Sequence, residues 1–262
     1  MILHFIDQKI RQTFSNAAIQ YDVLTGLHKE IGRELIKKIK AKERVEAVLD
    51  VGMGTGWLTN RLKTYFPDAL VVGLDSAPGM VAAAQNNSEG FKIVQGDAAG
   101  LPFKEKSFNV IVSNLAYQWV SDLAEAFELV GRTLKPGGEF AATLFGYHTF
   151  DELFVSLQST MEHNEAFAIE RLARQNEVEL ALEQAGFQEC VVDYEIVKSH
   201  FPDMMSLLNW VQAIGANQLK RNFYIGKDWL ARAEEYYTKN FKERLGVVAT
   251  FEVIWVSARK TK

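Results

Sequence analysis

Along the chain, short apolar runs alternate with segments whose apolar positions recur at helical spacing. The runs at 46–51 (EAVLDV), 69–75 (ALVVGLD), 91–95 (FKIVQ), 108–113 (FNVIVS) and 138–145 (GEFAATLF) predict strands. They are apolar almost throughout rather than alternating, the pattern of strands covered on both faces in a parallel sheet between helices. The stretches 57–66, 77–87 and 121–134 predict helices, and LKPGG at 134–138 predicts a helix stop followed by a turn. This βαβ succession implies a doubly wound α/β fold, whose ligand site lies outside the carboxyl ends of the strands.

Two regions stand outside the alternation. Residues 5–40 read as two amphipathic helices separated near YDVLTGL, ahead of the first strand. The other region lies between a strand at 187–197 (FQECVVDYEIV) and a final one at 247–258 (VVATFEVIWVSA), and reads as helices at 203–216 and 227–241. Long insertions usually serve as lids or binding elements, and both extras are expected to cover the strand ends. The expected organisation is a single domain over 1–262: N-terminal helices at 1–44, a cofactor-binding core at 45–200, a helical lid at 201–245 and the final strand at 246–262.

Composition narrows the function classes. With 48% apolar and 24% charged residues the chain can bury a full core. A net charge of -4 gives no general attraction to nucleic acid. The single cysteine, Cys190, excludes an internal disulfide and a multi-cysteine zinc site, so no metal is expected and a reducing, cytoplasmic setting fits. The opening MILHFIDQKIRQ is too short in apolar residues for a signal peptide. No run approaches the ~18 apolar residues of a membrane helix, so no membrane partner is expected.

The candidate chemistry begins at DVGMGTGW, residues 50–57, where a strand passes through Gly52, Gly54 and Gly56 into a helix. Glycines there let backbone approach a ligand closely. A dinucleotide fingerprint, GxGxxG, requires glycine where Trp57 stands, which disfavours a nicotinamide oxidoreductase. Asp75, at the next strand end, is placed to accept hydrogen bonds from both hydroxyls of a ribose. Asp97, after the third strand, is placed to accept one from an exocyclic adenine amine. Ser76 and Met80 are candidates to line an adenosine pocket.

Taken with VVGLDSAPGM, QGDAAGLPF, FNVIVSNLAYQWV and LKPGGEF, this set resembles the class I methyltransferases that use S-adenosylmethionine. The resemblance implies a Rossmann-like sheet of seven strands, mostly parallel with the last antiparallel. It implies S-adenosyl-L-methionine as cofactor, S-adenosyl-L-homocysteine as product, and Asp50, Thr55, Ala98 and Asn114 beside the glycines and acids in the cofactor site. A second resemblance, carried by FSNAAIQYD, SNLAYQW, TLFGYHTFDELFVSL, WVQAIGANQ and VVATFEVIWVSARK, runs from Phe14 to Lys260. Those segments are similar to the malonyl-acyl carrier protein O-methyltransferases of biotin synthesis. One departure is Met53, where many such proteins carry cysteine; its backbone does the work, so the change leaves the cofactor reading as it is.

That second resemblance implies esterification of the free carboxyl of a malonyl thioester, on acyl carrier protein or coenzyme A, giving the methyl ester that primes pimeloyl synthesis. A carboxylate is already nucleophilic, so transfer of a sulfonium methyl needs alignment and desolvation more than a general base. Tyr21 and Gln118 are the expected positioning residues, with Tyr117, Trp119, His148 and Arg174 on the acceptor side. Arg171, Lys220 and Arg221 are further candidate partners for the carboxylate or for an acidic carrier protein. The same core also suits a small-molecule O- or C-methyltransferase with another acceptor, or a cofactor-binding protein without catalysis. A nucleic-acid methyltransferase is disfavoured by SNLAYQW, which stands where an NPPY-type segment is expected.

Overall fold

The computed structural model describes residues 2–41, 44–161, 171–216 and 226–260. The run AVLDV forms the strand β1 (Ala47–Val51), every residue of it buried. Its side chains alternate between two cores: Val48 enters one, while Ala47, Leu49 and Val51 enter the other. Around it lie β2 (Leu70–Asp75), β3 (Lys92–Gln95), β4 (Phe108–Asn114) and β5 (Leu134–Phe145), all parallel. β6 (Glu189–Phe201) and β8 (Gly246–Arg259) complete a seven-strand path in the order β3-β2-β1-β4-β5-β8-β6. Only β8 runs against its neighbours on that path. A two-residue strand, β7 (Lys242–Glu243), pairs with the start of β8 off the main path.

The helices form where their apolar stripes meet this sheet. α2 (Gly26–Lys38) buries Ile31, Leu35 and Ile36, and α3 (Trp57–Tyr65) buries Leu58 and Leu62. α4 (Pro78–Asn87) opens with proline in its first turn, where a missing N–H costs nothing. α5 (Leu123–Thr133) is capped by Asp122, whose carboxylate accepts from Glu125 N at 2.9 Å. α6 (Asp151–Ser159) and α7 (Gln175–Gln184) follow the central sheet residues, and α8 (Met204–Ala213) and α9 (Lys227–Phe241) occupy the insertion before β8.

α1 (Ile2–Leu24) lies between α4 and α8. Against α4 it packs so closely that a Cβ on Gly79 would stand 2.3 Å from the Ser15 carbonyl oxygen. Against α8, Trp210 Nε1 donates to Leu24 O at 2.9 Å, and Thr13 Oγ1 donates to Gly215 O at 2.9 Å. The two accessory regions therefore meet each other.

Two boundaries differ from the sequence reading. LKPGG is a bulge within β5 rather than a separate turn: Phe108 pairs with Leu134 but Val110 with Glu139, and Gly137, at φ 77°, donates to Lys260 O. β6 runs past its apolar stretch to Phe201, because Val247–Phe251 of β8 supply partners for Val197–Phe201. α6 and α7 fall in a segment for which the hydrophobic pattern predicts no element.

Candidate active site

The site is built at the point where the strand order reverses, between β1 and β4. Gly52 and Met53 both donate to Leu74 O, at 2.8 and 2.9 Å, which folds the chain back sharply after β1. A Cβ on Gly52, whose φ is 75°, would stand 2.2 Å from the Ala116 Cβ. At Gly54 the nearest atom would be Tyr21 Cε1, at 3.9 Å, so this glycine borders open space. Gly56 faces the other way, against Phe91 and Ala84. It does not border the cleft as the sequence reading expects; its φ of 84° serves the start of α3.

Three carboxylates border this region, each in a different state. Asp75 accepts from Gly54 N (2.9 Å) and Ala77 N (2.8 Å); burial raises its carboxyl above the ordinary range, against the pull of those bonds. Asp50 is fully buried, with one oxygen accepting from Thr59 Oγ1 at 2.6 Å and Oδ1 without a partner. Burial lifts its pKa from 3.8 to about 7, the Thr59 hydrogen bond opposing. Asp97 accepts from Ala99 N at 3.0 Å and is paired with Arg11 of α1, Nη2 to Oδ2, at 2.5 Å. Ser76, Met80 and Ala98 line the cleft among these acids, and Arg11 forms part of its rim. Thr55 is buried beneath the turn, its hydroxyl donating to Asp22 of α1 at 3.0 Å.

A second, smaller chamber adjoins the cleft, about 70 Å³ against about 150 Å³. Phe14, Tyr21, Leu115 and Trp119 border both. Its walls add His28, Phe145, Phe150, Phe154 and Trp210, with Gln118 and Thr149 as polar members, and none of the described lining residues is Asp, Glu, Lys or Arg. Gln118 Oε1 accepts from Phe145 N at 2.7 Å, which fixes the amide and leaves its NH₂ as donor. Asn114, at the end of β4, accepts from Thr143 Oγ1 at 2.8 Å and donates to His28 O at 3.0 Å. Leu115 and Phe150 both hold positive φ, 56° and 64°, a strained conformation costing about 1–3 kcal/mol each. Burial, then Asp75 and Asp22, push the Tyr21 hydroxyl well above its ordinary value, so it stays a neutral phenol.

Three of the expected acceptor-side residues lie elsewhere. Tyr117 is in the core between Phe127 and Phe140, ring centroids 5.3 and 5.8 Å away, because the 3-10 turn after β4 points it under the sheet end. His148 is exposed and paired with Asp151 at 2.7 Å. Arg174 stacks on Tyr147 at 3.5 Å at the start of α7, and Arg171 pairs with Asp151 at 2.6 Å. None of these four borders the cleft or the chamber. Lys220 and Arg221 lie outside the described residues. Arg11 and His28, which no sequence motif marks, also border the site.

The polar groups fit an adenosyl cofactor bearing an ammonium. Asp75 can take a ribose, Asp97 an adenine amine, and the orphaned Asp50 Oδ1 lies beside the turn where a cation would satisfy it. Among the described residues, no group of three or more His, Cys, Asp or Glu is placed to hold a metal ion, and no helix is long and apolar enough to cross a membrane.

Comparison with known proteins agrees. Residues 49–142 match a family described as a methyltransferase domain. The malonyl-[acyl-carrier protein] O-methyltransferase of Methylococcus capsulatus is 32% identical over 95% of this chain and 92% of its own length. That of Dechloromonas aromatica is 33% identical over 96% and 94%. The biotin biosynthesis bifunctional protein BioHC of Teredinibacter turnerae is 30% identical over 97% of this chain and 47% of its own length. Among solved structures, YcgJ of Bacillus subtilis is similar with a TM-score of 0.61 at 19% identity, over 90% of this chain and 99% of that one. Phosphoethanolamine N-methyltransferase 2 of Haemonchus contortus, solved with S-adenosyl-L-methionine, is similar with a TM-score of 0.59 at 18% identity, over 94% and 57%. At those identities the structural likeness carries the fold alone.

Proposed function

This chain belongs to the malonyl-[acyl-carrier protein] O-methyltransferase family, and from that premise we propose that it methylates the free carboxylate of a malonyl thioester on acyl carrier protein, using S-adenosyl-L-methionine, in biotin synthesis. The observation that carries this reading is the pair of adjoining cavities: a cleft edged by carboxylates, and a small aromatic chamber opening from it across Tyr21, Leu115 and Trp119. A chamber of that size suits a short acyl group better than a fused-ring acceptor.

When bound, the cofactor supplies a sulfonium methyl as electrophile. Asp75 would hold the ribose, Asp97 the adenine, and Asp50, its carboxylate charge favoured by the ammonium, the amino-acid end; Gly54 gives the backbone room to approach. Arg11 must then share or yield Asp97. On the acceptor side, the aromatic walls exclude water from the carboxylate, which strengthens its nucleophilicity. Its oxygen forms the new C–O bond as the methyl–sulfur bond breaks. The bonding pair stays on sulfur and no proton moves, so the site needs no general base. Gln118 NH₂ and the neutral Tyr21 hydroxyl orient the acceptor at the junction of the cavities.

Mass spectrometry of malonyl-carrier protein incubated with this enzyme and S-adenosyl-L-methionine tests the reading, with acetyl-carrier protein as control. A gain of one methyl on the malonyl form alone is expected. No gain on either, with cofactor binding verified, would move the search to small-molecule acceptors.

A further inference from the structure

His28, on α2, borders both the aromatic chamber and the crease beneath the glycine turn. Its ring is held edge-on by Tyr21, Phe145 and Trp210, with centroids at 6.2, 5.6 and 6.1 Å, and its backbone carbonyl is held by Asn114. Nδ1 is buried and has no hydrogen-bond partner. A polar nitrogen enclosed by aromatic rings with nothing to bond is costly, and such groups ordinarily have a partner. Gln118, on the same chamber, has its carbonyl committed to Phe145 and its NH₂ free. The chamber thus carries two polar side chains with uncommitted hydrogen-bonding groups, brought together from α2 and from the turn after β4.

Resting on the malonyl reading above, we propose that His28 donates a ring N–H to the malonyl carboxylate, on the oxygen that becomes the ester carbonyl, and so selects acceptors with a free carboxyl. Neutral donation suits the reaction. The carboxylate loses its charge as the new C–O bond forms, so a guanidinium fork would hold the starting acid more tightly than the transition state and raise the barrier. An uncharged N–H gives orientation with less of that penalty. It also leaves the attacking oxygen free of a donor. Burial supports the uncharged form, lowering the imidazole from 6.5 to about 4.

The test is steady-state kinetics with malonyl-carrier protein for the unaltered enzyme, His28→Phe and His28→Gln, with cofactor affinity measured by calorimetry. His28→Phe should raise KM for malonyl-carrier protein about tenfold or more, while changing kcat by less than about threefold and leaving cofactor affinity unchanged. His28→Gln, which restores a neutral donor, should recover most of the loss. An unchanged KM in His28→Phe overturns the proposal. If His28→Phe loses cofactor affinity as well, His28→Gln decides: a KM as poor as that of a donor-less side chain overturns it, and recovery supports it. Failure of the unaltered enzyme to methylate malonyl-carrier protein would instead overturn the acceptor assignment itself, and this role with it, before any variant is compared.

Discussion

Asp75 spends one hydrogen bond per oxygen on the glycine turn and the start of α4, and keeps further lone pairs for a ligand. Asp75→Ala should therefore lower affinity for S-adenosyl-L-homocysteine by more than about 100-fold, since two bonds to a charged group are lost. Calorimetry beside circular dichroism checks this, and unchanged affinity would remove the ribose role. Asp50 predicts a pH dependence. Unfolded, its carboxyl titrates near 3.8; folded, near 7. Between those values the folded chain holds the extra proton, so this group's stabilising contribution is complete below pH 3.8 and lost as pH rises through 7. Asp50→Asn should be relatively more stable than the unaltered protein at pH 8 than at pH 5.5, in denaturant melts without cofactor. Tyr21→Phe should lower kcat about threefold to tenfold with cofactor binding kept, as expected of a group that orients rather than reacts; wild-type turnover would make it a packing residue. Asp75, Asp97, Gly52 and Gly54 were legible because strand ends and turns are encoded locally. Arg11 and His28 were not, since only the packing of α1 and α2 over the strand ends brings them to the site. Tyr117 misled because an aromatic after β4 reads alike whether it turns into the chamber or the core.

At the scale of elements, the turn after β1 and the segment after β4 must touch. Gly52→Ala would drive a methyl into Ala116 at a φ that alanine resists, so it should abolish cofactor binding while the rest of the sheet stays folded. Calorimetry and near-ultraviolet circular dichroism separate the two effects. Across the mouth of the site, α1 is tied to the insertion by Trp210 and Thr13. Trp210→Phe should cost about 0.5–1.5 kcal/mol of local stability, seen as faster hydrogen exchange in α8 and the end of α1. The parallel strands and their helices were legible from unbroken apolar runs and helical spacing. The far end of β6 was not, because Lys198, Ser199 and His200 join it through pairing with β8 rather than through their own apolarity. The LKPGG segment signals both a stop and a turn. Tertiary pairing with β4, and the bond from Gly137 to Lys260 O, draw it into the strand as a bulge.

For the whole molecule, the expected seven-strand path is present, with one two-residue strand, β7, added beside it. The reversal of β8 was foreshadowed only by resemblance, since apolar pattern carries no strand direction. β8 lies between β5 and β6, and among the described residues β6 pairs with no other strand. Synthesis must therefore pass residue 259 before β6 is fully covered, and at ordinary translation speeds that follows the completion of β6 by roughly 3–12 s. Through that interval a long strand carrying Val191, Tyr194 and Ile196 has an open edge on either side. The nascent chain is then most vulnerable to aggregation between the synthesis of β6 and that of β8, so chaperone demand should rise over that interval, and slower decoding of residues 202–259 should lower the soluble yield.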